Sequence, residues 1–357
     1  MMLQGYQKSI VAVLPELGFA LPTEPALGSL PLDGVNATVT TDEDERARIV
    51  AVNSGLFILA ISIPKVAAFS VPITEQGQQG EIDLTLEGTL NRLQTHTELM
   101  PQFVGALLTG FGLMYEPLPD AQGLEQPIIV SYMTGIETFA LAHEYAHILL
   151  NHSAPAGALG LEENCQVQAA GIARTTENSW IQEVEADLLA QRILNAIASH
   201  QRADAGENPL IRNTLQRGPG YYFLLTEIRR DTSEMLKSGS YPTGPMAAEE
   251  DALKIIETCL DRAGCDVRTA LRSAKSPVLD LKSHPHPSIR RRIVEHEAAK
   301  LLPGGGADED VALAISRLTY RNTQIMWDLT RPKLRQLYDN GVRLSGCSKG
   351  GTKDAAS

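Results

Sequence analysis

Residues 135–152 read GIETFALAHEYAHILLNH, and this stretch decides the fold. It is apolar on nearly every side of a helix, through Phe139, Leu141, Ala142, Tyr145, Ala146, Ile148 and Leu149. A helix that is apolar all round must be buried on most of its faces. We therefore predict a long buried helix from after Gly135 to about His152.

Within this helix, residues 143–147 form the pattern His-Glu-x-x-His. Positions i and i+4 share one face of a helix, about 5–6 Å apart, so His143 and His147 can bind one Zn²⁺. Glu144 then lies in the same cleft, where it can take a proton from a metal-bound water. The alternative is a buried helix with two hydrogen-bonded histidines and no metal. The apolar helix disfavours it, because two imidazoles and a carboxylate would need partners inside a core.

A hydrolytic zinc site needs a third protein ligand, and the first helix does not supply one. The metzincin continuation HExxHxxGxxH is absent, since position 150 is Leu150 and position 153 is Ser153. His152 follows His147 by five residues, about 140° round the helix. We therefore do not expect His152 at the same metal.

The better candidate for the third ligand is Glu183, in the run Glu-Val-Glu-Ala-Asp at 183–187. We predict a second helix there, from near Ser179 through Ala198. On it Glu183 and Asp187 are i and i+4, so Glu183 can bind zinc while Asp187 accepts the free N–H of a ligand histidine. Glu185 is predicted to be a surface charge. An ExxxD pattern alone is common on solvated helices, so its combination with the earlier motif carries the argument.

Composition excludes several classes of protein. The chain has 357 residues, with 31 basic against 43 acidic residues and a formal net charge of −12. The one short basic run is 290–292 and aromatic residues make up 5%, so we expect no nucleic-acid partner. The four cysteines lie far apart without a CxxC pair, which argues against a cysteine-rich zinc ribbon and against a disulfide framework.

The N-terminus lacks the order of charged, apolar and small residues that marks a secretory signal. The longest uncharged apolar run, about 103–115, is shorter than the roughly 20 residues that span a bilayer. We expect a cytoplasmic protein with no membrane span.

The pattern of apolar runs and breakers predicts an α+β fold that is mostly helical. Residues 46–73 could be a strand turning into a buried helix, which periodicity does not settle. Ile128 to Tyr132 is a strand candidate, and residues 40–64 and 128–133 are expected to form a small sheet beside the motif helix. A C-terminal helical segment is predicted at 310–339, broken by Pro332.

These elements predict four parts of the chain. They are an N-terminal region that packs on the catalytic core (1–125), a catalytic domain (126–301), a C-terminal helical segment (302–345) and a disordered tail (346–357).

HExxH followed by ExxxD on a later helix resembles the gluzincin arrangement of thermolysin-like zinc peptidases. Residues 183–187 look like the ExEAD signature of the CAAX-prenyl protease and HtpX-like group, which also carries a Thr/Ser-His-Pro segment followed by an arginine. Here SHPHP at 283–287 precedes the arginines at 290–292. Residues 135–152 are further similar to phage-exclusion (Lit-like) and other soluble bacterial HExxH peptidases. The resemblance covers about 130–295 and implies a zincin-like fold.

The resemblance leaves open which histidine of the doubled His-Pro segment matches the family histidine. Counting back from Arg292 favours His286, whereas the preceding Ser283 favours His284. A histidine held there could donate to the oxyanion of a tetrahedral intermediate. The alternative is a rigid surface loop with two solvated histidines.

Taken together, these residues predict water-promoted hydrolysis of a peptide or protein substrate. One Zn²⁺ per chain is held by His143, His147 and Glu183, and Glu144 acts as general base and then as general acid. The strand candidate at 128–132 could pair with an extended peptide by edge addition. A second hypothesis is a zinc-binding regulatory or defence sensor with little or no peptidase activity. Glu144 favours the enzyme, because a scaffold would not need it.

Overall fold

A computed structural model describes residues 2–21, 23–31, 37–41, 48–76, 79–109, 121, 123, 125–152, 179–203, 209–241, 244–262, 265–273, 284–300 and 307–342. The helices are α1 (Met2–Val13), α2 (Ser54–Phe69), α3 (Leu86–Thr95), α4 (Leu99–Thr109), α5 (Glu125–Leu149), α6 (Ser179–Ala203), α7 (Pro209–Ser238), α8 (Ala247–Asp261), α9 (Val267–Ser273), α10 (Pro287–Ala299) and α11 (Ala307–Asp339). The strands are β1 (Ala26–Leu30), β2 (Ala37–Thr41), β3 (Arg48–Asn53), β4 (Ile73–Gln76) and β5 (Gln79–Ile82). The prediction of a mostly helical α+β fold is confirmed.

The sheet beside the central helix has three short strands in the order β1-β3-β2. β1 runs parallel to β3, and β2 pairs antiparallel with β3 through the register Val39 to Val50. β2 is therefore an edge strand, and it contacts α5. β4 and β5 form a separate antiparallel pair.

Within the apolar run at 46–73, residues 48–69 form one strand followed directly by one helix. β3 ends at Asn53, which is the N-cap residue of α2. Nine residues of α2 are buried, which explains why its sequence shows no polar face.

The strand predicted at Ile128 to Tyr132 is wrong, because these residues lie inside α5. β-branched residues favour strands locally, but tertiary packing overrides that preference. Ile128, Tyr132 and Ile136 follow at four-residue spacing and are at most 1% exposed, so one helical face packs into the core. Pro127 is compatible with this start because it lies in the first turn, where the backbone N–H has no intrahelical partner. Edge addition of a peptide at 128–132 is excluded by the same finding.

α5 is buried along most of its length and crosses α7 in close contact. Seventeen of its 25 residues are buried, as the apolar sequence predicts. A Cβ atom on Gly135 would lie 2.5 Å from the carbonyl oxygen of Thr214, and one on Gly218 would lie 2.7 Å from the carbonyl carbon of Gly135. The two glycines allow the backbones to approach, which brings the aromatic residues of α7 beside the motif on α5.

The break predicted at Pro332 is also wrong, since α11 continues through it. A proline inside a helix costs a backbone hydrogen bond and crowds the preceding turn. Here Met326 and Leu334 lie on either side of the proline and are fully buried in the core. We attribute the continuous helix to this packing.

The largest core cluster joins residues of α2, α5, α7 and α11. The N-terminal region therefore packs on the segment that carries the motif, whereas the predicted domain boundaries remain predictions. The tail at 346–357 lies outside the described residues. None of the helices in the described ranges is long and apolar enough to cross a membrane.

Candidate metal centre

His143 and His147 on α5 and Glu183 on α6 converge on one point. The Nε2 atoms of the two rings lie 3.0 Å apart. Oxygens of the Glu183 carboxylate lie 3.4 Å from Nε2 of His143 and 3.5 Å from Nε2 of His147. One ligand atom from each residue lies within 4.8 Å of the others, and no second such group of three occurs among the described residues. These are the three residues predicted to be metal ligands.

The donor set and its electrostatics fit a divalent metal ion. Two imidazole nitrogens and one carboxylate oxygen are ligands that zinc accepts readily. Burial and the charge of His143 lower the pKa of His147 to about 3, so its ring is neutral and offers a lone pair. Burial alone would lower the pKa of His143, but the hydrogen bonds that its ring donates to Asp187 and Glu183 outweigh it and raise the pKa to about 10. The position therefore strongly favours a positive charge.

Asp187 lies one helical turn after Glu183 and is fully buried. Its Oδ1 is 2.9 Å from Nδ1 of His143, on the side of the ring that faces away from the other ligands. This is the contact predicted for Asp187. It holds the ring so that Nε2 points at the metal position.

Arg290 on α10 completes the support of this side of the cluster. Its Nε and Nη2 each donate to Asp187 at 2.7 Å, and Nη2 also lies 3.1 Å from Glu183. The guanidinium lies 4.7 Å above the ring of Phe223. Burial acts to raise the pKa of Glu183, but the charges of His284 and Arg290 outweigh it and hold that pKa well below its usual range. Glu183 is therefore ionised and available as a ligand.

Arg290 belongs to the basic run at 290–292, and it is the residue of that run that contacts Asp187 and Glu183. Its side chain is 12% exposed, whereas Arg291 pairs with Glu227 and Arg292 pairs with Glu250, each at 2.8 Å. Each arginine of the run is thus paired with a carboxylate of another helix. Arg290 and Asp187 are 103 residues apart in the sequence, so no local pattern indicated their contact.

Glu144 follows the first ligand and is 6% exposed. Burial raises its pKa to about 7, and the charge of His143 offsets this in part. The backbone N–H of Val39, on edge strand β2, donates a hydrogen bond to the Glu144 carboxylate. The sequence placed Glu144 in the cleft but gave no sign that the edge strand reaches it.

The two histidines of the His-Pro segment have different positions. His284 is half exposed and its Nε2 lies 3.5 Å from Oε1 of Glu183. His286 is buried and caps α10, with its Nδ1 accepting from the backbone N–H of Ser288 and its own N–H donating to Glu249. The structure therefore brings His284, and not His286, to the metal cluster.

His152 and Glu185 are closer to the cluster than the sequence predicts. His152 is outside the group of three ligands, as predicted, but its Nδ1 lies 3.0 Å from Nδ1 of His147. Its Nε2 lies 3.1 Å from Oε2 of Glu185. Burial acts to raise the pKa of Glu185, but hydrogen bonds from His152 and Arg268 lower it overall. The prediction of a plain surface charge at Glu185 is wrong.

Tyr222 is a further side chain beside the cluster. Its ring lies 5.4 Å from that of Phe139, and burial and the charges of Glu144 and Glu183 raise the pKa of its hydroxyl above the usual range. The neighbouring Tyr221 instead hydrogen-bonds Thr323 in the core at 2.7 Å. The two adjacent tyrosines thus differ in role, which their sequence does not reveal.

The chain matches no protein-family model, no curated protein and no solved structure. The assignment of a function therefore depends on the geometry of these residues.

Proposed function

We propose that this chain is a zinc-dependent metallopeptidase of the gluzincin type, with one zinc ion held by His143, His147 and Glu183. The observation that carries the proposal is the convergence of these three ligands within 4.8 Å. Glu144 follows His143 directly in the sequence. Asp187 contacts Nδ1 of His143, on the side of the ring away from the other two ligands. Motif, third ligand and supporting carboxylate all occur in the order that the gluzincin resemblance implies.

Bound zinc would supply Lewis acidity, which polarises a scissile carbonyl and makes a water nucleophilic at neutral pH. Glu144 removes the proton from the attacking water and delivers it to the leaving amine. Burial favours this exchange, because it keeps the neutral and ionised forms of the Glu144 carboxyl close in free energy at neutral pH.

The remaining residues of the site position the metal ligands and the substrate. Asp187 and Arg290 fix the direction of the His143 ring and the position of the Glu183 carboxylate. His284 lies on the exposed side of Glu183, where its ring can donate to a substrate oxygen. A peptide or protein is the substrate class that this chemistry fits.

A second function, a zinc-binding sensor that cleaves little or nothing until triggered, is favoured by one observation. The ligand side chains are only 11–14% exposed, and β2 contacts the general base directly through Val39. A substrate carbonyl must reach the same position, so peptide entry requires this contact to open. In a sensor, the displacement of β2 would itself be the signal.

Metal content and hydrolysis measured on the same preparations test the proposal. We expect one zinc per chain in the wild type and loss of zinc in His143→Ala and Glu183→Ala. Glu144→Gln should keep its zinc and lose hydrolysis of a denatured protein substrate. The matched control is Glu87→Gln, an exposed carboxylate on α3 that should leave both readouts unchanged.

The possible outcomes separate the two functions. Zinc bound by the wild type without hydrolysis, and with Glu144→Gln indistinguishable from it, favours the sensor. A wild-type chain that takes up no zinc refutes both.

A further inference from the structure

We propose that His152, Glu185 and Arg268 form a line of hydrogen bonds that holds the ring of His147 toward the metal. His147 Nδ1 lies 3.0 Å from His152 Nδ1, and His152 Nε2 lies 3.1 Å from Glu185 Oε2. Arg268 on α9 donates to Glu185 through Nε at 2.8 Å and through Nη2. The proposal rests on the metal centre of the proposed function, though not on peptide hydrolysis.

The end of α5 explains why His152 reaches His147. Asn151 has a φ of 52° and is, among the described residues, the one non-glycine residue with positive φ. The N–H of His152 then bonds to the carbonyl of His147 at 2.9 Å, and the N–H of Asn151 bonds to Ile148. α5 thus ends with one residue in the left-handed conformation, after which the chain folds back along the last helical turn. Asparagine tolerates this conformation. The angle of 140° expected for a continuing helix no longer applies.

The chemistry of the partners fixes the direction of every hydrogen bond in the line. An arginine only donates, and an ionised carboxylate only accepts. Glu185 therefore accepts from Arg268 and from Nε2–H of His152. In a neutral ring this leaves Nδ1 of His152 as an acceptor, so the donor across the 3.0 Å contact is Nδ1–H of His147. That tautomer leaves the lone pair of His147 on Nε2, the atom that faces Glu183 and His143.

The two ligand histidines are thus held in equivalent ways. His143 donates from Nδ1 directly to Asp187, which is paired with Arg290. His147 donates from Nδ1 to His152, whose other nitrogen is bound to the Glu185–Arg268 pair. The His152 side chain is 3% exposed, so water cannot readily replace it as the acceptor. A ligand histidine whose second nitrogen is held in this way binds metal more tightly than one that is free to rotate.

Zinc affinity of the purified full chain, measured by competition with a chromophoric chelator, tests this role. His152→Phe removes both ring nitrogens and should weaken zinc binding by about 10–100-fold. His152→Asn keeps an acceptor near Nδ1 but cannot reach Glu185, so its loss should be intermediate. Glu185→Gln and Arg268→Ala act further along the line and should show progressively smaller losses. The control is Arg192→Ala, which breaks another α6 contact, at 3.4 Å to Glu297, away from the ligands.

Two further readouts distinguish positioning from a general structural effect. The visible spectrum of bound Co²⁺ should change in His152→Phe and not in Arg192→Ala, since it reports the ligand geometry. Unfolding of the metal-free chain should not follow the order of the zinc affinities. Zinc affinity and Co²⁺ spectrum unchanged in His152→Phe overturn the proposal while leaving the metal centre intact. A wild-type chain that binds neither metal overturns the proposal and the proposed function together.

Discussion

Replacing Glu137 with glutamine should stabilise the fold at high pH and much less at low pH. Glu137 lies on α5, two turns before the proposed general base Glu144, and is 2% exposed. Burial raises its pKa from 4.5 to about 7, although the nearby Tyr6 hydroxyl opposes the rise. Between these two pH values the folded chain holds a proton that the unfolded chain has released. Stability of the wild type therefore falls as pH rises through this window.

The full effect follows from the pKa difference, at about 1.4 kcal/mol per pKa unit, and is about 3 kcal/mol well above pH 7. Of this, about 1.4 kcal/mol develops between pH 6 and pH 8. Both pH values lie above the isoelectric point of about 5.2. The assay is urea unfolding of the wild type and Glu137→Gln at both pH values.

The difference in unfolding free energy between Glu137→Gln and wild type should rise by about 1.4 kcal/mol from pH 6 to pH 8. This comparison cancels any constant loss of contact with Tyr6. Glu87→Gln, at an exposed position, is the control, and its difference in unfolding free energy from the wild type should be the same at both pH values. The same difference at pH 6 and pH 8 for Glu137→Gln would refute the argument that burial raises the pKa of this carboxyl.

Three other predictions concern the cluster and the helix crossing beside it. Asp187→Asn should weaken zinc binding about 10–100-fold in the chelator assay, although Asp187 is not one of the three ligands; equal affinity would refute its role. Gly218→Ala should destabilise the chain by about 1–3 kcal/mol in urea unfolding, because a Cβ there meets the backbone of α5. Gly5→Ala meets nothing within 4 Å and should not destabilise. His284→Ala should lower kcat about 10²–10³-fold with zinc retained, whereas His286→Ala should mainly cost about 1 kcal/mol of stability as a lost helix cap.

The sequence predicts those parts of the site whose geometry is local. His143 and His147 share a helix face by spacing alone, and so do Glu183 and Asp187. Each pair needs only a helix to form, and the apolar pattern around both pairs indicates one. The contact between the two helices was an inference from chemistry, since three ligands and a supporting carboxylate must meet for either motif to function.

The sequence predictions fail where distant packing or a single backbone conformation determines the structure. The run at 128–132 begins with three β-branched residues and is too short to show a period, so its own residues do not distinguish strand from helix. Its true partners lie on α2, α7 and α11, distant in sequence. His152 lies outside the group of three ligands, as predicted, but its contact with His147 was not foreseen. One left-handed residue, Asn151, ends the helical geometry on which the angle was calculated. An asparagine directly before the histidine was the available signal.

All three acids of the run 183–187 have a part in the proposed metal centre. Glu183 and Asp187 face the ligand histidines, and each contacts Arg290. Glu185 lies on another side of α6, where it contacts Arg268 and His152. In the proposed site, the alternation therefore distributes one ligand and two supporting carboxylates around a single helix. Each supporting carboxylate is paired with an arginine, and in the proposed site each holds the ligand histidine on its side in the tautomer that binds metal.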